Sequence, residues 1–413
     1  MRLLFVVQRF GAGVVGGAEK YVADLATGLA ADGHQVTVLT SCATSYEDWS
    51  DVCRPGTEVV DGVTVHRLAV TSARDNERFL PLHARAVAPS PVPLWPVAQE
   101  RWSRLMGPDL AGAELALAEL VPQADVTVFV GYHYAHTMRH VRTAAAFGPV
   151  VVVPTAHPEG ALHVGVVRQM FEHADRVLCL APEEGELLGG LFDVADRVRV
   201  APCPVAPRPL PAADEVAAVA RSFGVVPGRY VVVVGRVDPA KGSDDAVRFM
   251  RHYQRYVDPG VRLVVVGPGA GPEAAVRAGD GVVFTGFVSD EERDALVAGA
   301  AVLLQPSYME SFSLALVEGW LFGRPALVQG ASPVLAGHVR RSGGGLTYTD
   351  YPTFEAALTT LLTRPALAER LADQGRQYAR REFDWTAASQ AFLSAVGDLS
   401  AAGAGAARGS DHG

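Results

Sequence analysis

Short, nearly unbroken apolar runs recur along the chain, separated by stretches whose apolar residues fall three and four positions apart. The runs lie at residues 3–7, 126–130, 150–153, 176–180, 230–234, 262–266 and 301–304. Such runs are expected of strands covered on both faces of a parallel sheet. Residues 35–40 and 63–68 alternate instead, the second behind an Asp61-Gly62 turn. Between the first two strands, Tyr21, Val22, Leu25, Ala26 and Leu29 form one stripe of a helix that Gly33 ends. Strand, helix and strand at this spacing make a βαβ unit. The rhythm stops at residues 201–211, where five prolines read as a semi-rigid linker, and then restarts. The pattern therefore predicts an α/β chain of two Rossmann-like halves. We place the N-terminal half at 1–205 and the C-terminal half at 206–384. A helix at 385–400 is expected to pack back toward the first half, and 401–413 reads as a disordered tail. Residues 80–108, rich in proline and holding Trp95 and Trp102, read as an irregular binding region for an acceptor, or as an ordinary surface excursion.

At 413 residues the chain exceeds one hydrophobic core, which agrees with two domains. A net charge of −9 argues against nucleic acid as a partner. The four cysteines, at 42, 53, 179 and 203, lack metal spacing and read as reduced thiols. The opening apolar run is too short for a signal peptide, and no run approaches the roughly 18 residues of a membrane span. A cytoplasmic protein is expected, with peripheral contact at the inner membrane face left open.

The densest chemistry lies at residues 303–320. An apolar strand is stopped by Pro306, a polar loop follows, and a helix is expected from about Phe312 to Phe322, closed by Gly323 and Pro325. The amides of Phe312, Ser313 and Leu314 would then lie in a first turn without helical acceptors, a site suited to phosphate. Glu310 and Glu318 bracket that site and suit neutral hydroxyls better than phosphate, as an acidic residue does on ribose. A helix start helped by one acidic residue is the simpler local reading.

Two other loops follow strands. Gly11, Gly13 and Gly16 match G-x-G-x-x-G, but Thr40-Ser41 stands where a dinucleotide site needs an acid. Close backbone approach to a ligand at Gly16 and Gly17 is the better reading, and a plain turn explains the glycines equally well. In the second half, Arg236 and Lys241 share a glycine-punctuated loop that suits a diphosphate and is not a Walker A sequence. His157 falls at a strand's carboxyl end, where open α/β sheets bind ligands. His133, His136 and His163 show no metal pattern and receive no role.

Three of these segments coincide in a recognisable order: residues 16–19 (Gly-Gly-Ala-Glu), 234–242 (Val-Gly-Arg-Val-Asp-Pro-Ala-Lys-Gly) and 306–318, an E-x7-E arrangement. In them the chain resembles glycosyltransferase family 4, retaining nucleotide-sugar transferases of the GT-B fold, from Met1 to about Val396. It is similar in detail to a bacterial subgroup sharing residues 5–10, 154–157 and 342–346. Ser313 and Ala315 stand where the wider family often has Gly and Pro. The resemblance implies that Arg236 and Lys241 hold the diphosphate and that Glu318 binds the ribose. It gives Glu310 and His157 to the donor sugar. Ser311, Phe312, Ser313 and Leu314 would complete the phosphate site, and Gly16 and Gly17 would approach the donor. No metal and no cofactor is expected beyond a UDP- or GDP-linked sugar as co-substrate. The acceptor would be a hydroxyl of a glycan, glycolipid or small metabolite. A nucleotide-sugar epimerase or a non-catalytic sugar-nucleotide-binding protein on the same fold remains the alternative.

Overall fold

The computed structural model describes residues 1–14, 16–71, 73–89, 93–269 and 281–407, with side chains of the final helix described to residue 399. The chain divides into two compact units, Met1–Pro204 with Trp385–Gly413, and Val205–Asp384. Both are α/β, each built on a largely parallel sheet. Among the described residues no helix is long and apolar enough to cross a membrane.

The N-terminal unit carries strands β1 (Arg2–Val6), β2 (Gln35–Ser41), β3 (Gly56–Val60), β4 (Val63–Leu68), β5 (Val126–Val130), β6 (Val150–Val153), β7 (Arg176–Cys179) and β8 (Val198–Val200). Their order is β3-β4-β2-β1-β5-β6-β7-β8, parallel except where β3 turns back on β4. That hairpin turns through Asp61 (φ 50°) and Gly62 (φ 80°), the left-handed pair such tight turns need. Strand β3 gives no periodic signal because it is an exposed edge. Strands β5, β6 and β7 are buried along their whole length, which is why they read as unbroken apolar runs.

The proline-rich segment departs from expectation. It is two helices, Asn76–Val87 and Pro96–Met106, with residues 90–92 outside the described set. Pro96 occupies the first helical position, where a missing N–H costs nothing. Trp102 is buried and donates from its indole to His83 Nδ1 at 3.2 Å, so it serves the core while Trp95 stays exposed.

The last helix, Trp385–Ala407, belongs to this unit. Phe392 stacks on Phe5 with centroids 5.9 Å apart, and Trp385 Nε1 donates to Asp32 at 2.9 Å. Arg176 of β7 grips Asp398, with Nη2 to Oδ2 at 2.9 Å. The helix runs seven residues past 400 because alanine, the best helix former, fills most of 401–407. The rest of the expected tail, 408–413, lies outside the described residues.

The C-terminal unit carries β9 (Tyr230–Val234), β10 (Arg262–Val266), β11 (Val282–Gly286), β12 (Val302–Gln305), β13 (Ala326–Gln329) and β14 (Gly345–Tyr348). All pair in parallel, in the order β11-β10-β9-β12-β13-β14. Residues 325–329 read as the last clear strand, yet β14 extends the sheet beyond them. Its Gly-Leu-Thr-Tyr sequence is too short and mixed to show an apolar run. In each sheet the strand order reverses once, at β1/β5 and at β9/β12. Loops leaving the carboxyl ends at such a reversal diverge and open a crevice.

Candidate active site

In the C-terminal unit the two loops at the reversal point are those the sequence singled out. Strand β9 runs into residues 235–242 and β12 into residues 306–313, so Lys241 and Glu310 meet although 69 positions apart. Lys241 Nζ donates to Glu310 Oε1 at 2.8 Å and to the Met309 carbonyl at 3.3 Å. Tyr308 adds a second tie, its hydroxyl donating to Asp245 at 2.7 Å. Arg236 lies in the same loop, its Nη2 donating to Asp238 Oδ2 at 2.8 Å. The other Asp238 oxygen accepts from the Ala240 amide at 2.9 Å and starts the turn that carries Lys241. One aspartate thus orients both cations.

Gly242 allows this approach. Its φ is +72°, and a Cβ there would collide with the carbonyl oxygen of Pro306. A backbone atom cannot swing aside as a side-chain tip can, so Gly242→Ala must drive the two loops apart. We expect Gly242→Ala to weaken UDP or GDP binding by at least about tenfold, a loss of roughly 1.4 kcal/mol, by titration calorimetry. Unchanged affinity would show that the loop contact does not shape the site.

The helix that follows starts later than its sequence suggests. It spans Leu314–Leu321, so Phe312 and Ser313 precede it, and Leu314 is its first residue. Ser313 is the reason. At φ 76° and ψ 75° it holds a left-handed conformation that ends the loop, and its Oγ accepts from Gln305 Nε2 at 3.2 Å. Left-handed backbone costs a non-glycine residue roughly 1–2 kcal/mol, which accounts for glycine being common here in the family the chain resembles. Phe312 is buried, packed edge-on against His338 (5.5 Å) and Phe383 (5.1 Å), so the loop has an aromatic floor. Ser311 lies half-buried in the loop. The first-turn amides belong to Leu314 and Ala315, without acceptors inside the helix. Glu318 sits one turn in, and Arg293 Nη2 approaches it at 3.8 Å. Arg293 also contacts Asp294 at 3.3 Å, and Arg208 reaches Asp294 at 2.8 Å and Asp290 at 3.0 Å.

The remaining candidates lie in the N-terminal unit. Gly16 caps helix Gly17–Ala31 in an extended conformation, and a Cβ on it would strike the carboxylate of Glu19. That carboxylate accepts from Arg9 Nε at 2.9 Å and Nη2 at 2.5 Å, with both side chains 5% exposed. Arg9 Nη1 also donates to the Thr44 carbonyl at 2.8 Å. His157 follows β6, with β5 between it and the β1 loop in the sheet. Its Nδ1 lies 3.5 Å from Glu159 Oε1, which accepts from the Tyr132 hydroxyl at 2.5 Å. Burial holds His133 at about 4 and His136 at about 3, so both are neutral near pH 7. Among the described residues no group of three His, Cys, Asp or Glu comes together to hold a metal.

The structure thus joins Lys241 to Glu310, keeps Arg236 in the same loop as Lys241, and places Glu318 on the helix that follows. It places Gly16, Gly17 and His157 in the other unit. Asp245, Arg293 and Glu159 received no role in the sequence reading. Glu19 and Asp238 lay inside the motif segments 16–19 and 234–242 without a role of their own.

Comparison with known proteins agrees with this architecture. Residues 16–205 match the glycosyl transferase 4-like domain and residues 224–378 match glycosyl transferases group 1. Glycogen synthase of Mycobacterium tuberculosis is 26% identical, the match covering 96% of this chain and 95% of that protein. D-inositol 3-phosphate glycosyltransferase of Mycobacteroides abscessus is likewise 26% identical, over 94% of this chain and 85% of its own. Sucrose-phosphate synthase from Thermosynechococcus elongatus superposes with a TM-score of 0.71 at 19% identity, covering 97% of this chain and 100% of its own. Anabaena HepE in complex with UDP-glucose gives 0.68 at 16% identity, over 95% and 99%. With two glycosyltransferase domain models matched in succession on two parallel-sheet units, the chain belongs to the family 4-like glycosyltransferases of GT-B fold.

Proposed function

We propose that this glycosyltransferase moves a hexosyl unit from a UDP- or GDP-linked sugar to a hydroxyl acceptor, retaining the anomeric configuration. The observation carrying this reading is the meeting of Lys241 and Glu310 across the β9/β12 reversal, beside Arg236 and a helix start. Support also comes from the matched group 1 domain and from structural neighbours solved in complex with UDP or UDP-glucose.

The chemical burden is the charge that grows on the departing β-phosphate. The bond from the anomeric carbon to phosphate oxygen breaks, a bond to the acceptor oxygen forms, and the acceptor's proton passes to the departing phosphate oxygen. An ammonium carries three N–H groups. Among the described residues two of those on Lys241 go to Glu310 and Met309, which aims the group while leaving it the capacity to bind phosphate. Arg236, steadied by Asp238, supplies a planar donor fork suited to a diphosphate. Leu314 and Ala315 add amides at a positive helix end. Fixed donors aimed at developing charge stabilise it without reorganisation during the reaction. Glu318, held near Arg293, accepts from ribose hydroxyls, and Glu310 and His157 act on the donor sugar.

A thermal-shift panel of UDP, GDP, ADP and TDP, followed by their sugars, tests the reading. Saturating the right nucleotide at 100 times its Kd stabilises the protein by about 2.7 kcal/mol. The selected donor is then incubated with and without hydroxyl acceptors, and the product anomer is read by NMR. Isomerised donor in the absence of acceptor would point to an epimerase, and an inverted product would overturn retention.

A further inference from the structure

The turn that presents His157 is strained. Thr155 has φ +54°, in the left-handed region that a β-branched residue rarely enters. Such a conformation costs on the order of 1–3 kcal/mol and persists only where its surroundings over-determine it. On one side the Tyr132 amide donates to the Pro154 carbonyl at 3.0 Å, prolonging the contact of β5 with β6. On the other side β6 and β7 pair only at Val151–Arg176 and Val152–Val177, and past that point their ends part. Glu184 spans the gap. Its Oε1 accepts from the Ala156 amide at 2.5 Å and its Oε2 from the Leu180 amide at 2.7 Å.

Glu184 lies in the first turn of helix Pro182–Leu191, where an acidic residue helps its own helix. That local role accounts for the oxygen on Leu180. The other oxygen leaves its element to hold the residue immediately before His157. Glu184 is 1% exposed, with Tyr21 and Cys179 near it. Burial pushes its carboxyl up to about 8, against the two amides that favour the anion. A buried carboxyl needs partners for its oxygens, and here one of the two partners it finds is the amide in the turn that carries His157.

We propose that Glu184 is a positioning residue: by clamping the Ala156 amide it sustains the strained Thr155 turn and so fixes the imidazole of His157. This rests on the reading that His157 acts on the donor sugar.

Two measurements on the full chain test it. The first needs no substrate: carbethoxylation by diethyl pyrocarbonate, read residue by residue by mass spectrometry. Glu184→Gln offers a single acceptor oxygen and cannot serve both amides. It should change the labelling rate at His157 at least several-fold and leave His173, an exposed residue capping the end of helix Gly165–Glu172, unaltered. An unchanged rate at His157, or an equal change at both histidines, overturns the proposal. The second is release of UDP from UDP-glucose. Glu184→Gln should lower kcat 10- to 100-fold with KM unchanged, and added to His157→Ala it should lower kcat no further. Multiplying effects would show that Glu184 acts independently of His157. Full turnover by His157→Ala would remove the catalytic reading of His157, whereas altered labelling would still show that the clamp sets the ring. Should Glu184→Gln fail to fold, Thr155→Gly removes the strain, and the Thr155→Gly/Glu184→Gln double variant should recover soluble protein. If it recovers none, the carboxylate serves the core and not the turn.

Discussion

Replacing Lys241 by alanine is expected to lower turnover of the donor by about 10²- to 10³-fold, the loss typical of removing one preorganised donor from a developing anion. The structure makes the expectation more specific. Lys241 faces Glu310 at 2.8 Å, with the glutamate side chain 14% exposed, so alanine leaves a half-buried carboxylate without its cation beside the expected diphosphate. Nucleotide affinity should therefore fall too, by roughly 10- to 100-fold, because a hydrogen bond to a charged group contributes about 1.5–3 kcal/mol. The two losses are separable. In Lys241→Ala/Glu310→Gln the stranded charge is gone, and UDP or GDP affinity should recover in part. Turnover should not recover, since the donor to the departing phosphate is still missing. Calorimetry for binding and steady-state release of nucleoside diphosphate for turnover give the two readouts. A Lys241→Ala enzyme with normal kcat would exclude the lysine from the reaction, whatever its effect on binding.

What the sequence disclosed follows from which signals are local. Buried parallel strands announce themselves as apolar runs because both faces are covered, so β1, β5, β6, β9 and β12 were legible. Helices 76–87 and 96–106 were not, since proline marked the segment as irregular. Yet Pro96 starts a helix, and Pro81 is carried inside one whose buried side rests on Phe79. At the site, Arg236, Lys241, Glu310 and Glu318 were visible as charges in loops or early helix after strands. Their partners were not. Asp238 and Asp245 look like ordinary loop and helix-start acids. Asp238 contacts Arg236 two positions away within its own loop, whereas the contact of Asp245 with Tyr308 depends on the β9/β12 pairing that brings two distant segments together. The late start of helix Leu314–Leu321 was hidden for another reason: a serine, not a glycine, occupies the left-handed position. Glu184 was hidden most completely. As the second of two acids after Pro182 it reads as helix-start chemistry, and only the folded chain carries one of its oxygens across to Ala156.

Glu19→Ala should destabilise the N-terminal unit by about 3–5 kcal/mol, the usual cost of removing one member of a buried ion pair. Arg9 and Glu19 are each 5% exposed and joined through two nitrogens, so alanine strands a guanidinium that water cannot reach. In a unit of this size 1 kcal/mol moves Tm by roughly 2–4 °C, so a fall on the order of 10 °C is expected in thermal unfolding followed by circular dichroism. Arg9 is not wholly dependent on Glu19, for its Nη1 also bonds the Thr44 carbonyl and its guanidinium lies 5.3 Å from the Tyr46 ring. These contacts place the loss toward the lower end of the range. The pair itself is not the source of the stability. Two charges removed from water cost nearly what their attraction returns, so Arg9→Met/Glu19→Leu should unfold closer to the wild-type temperature than Glu19→Ala does. The double variant should nevertheless bind donor poorly, because the loop geometry is tied to the carboxylate itself. Gly16 has no Cβ where one would strike Glu19, and with leucine in its place the chain at Gly16 and Gly17 loses the group against which it is set. A double variant as unstable as Glu19→Ala would show instead that the ion pair contributes net stability. One that keeps full donor affinity would show that the glycine loop takes its shape without Glu19.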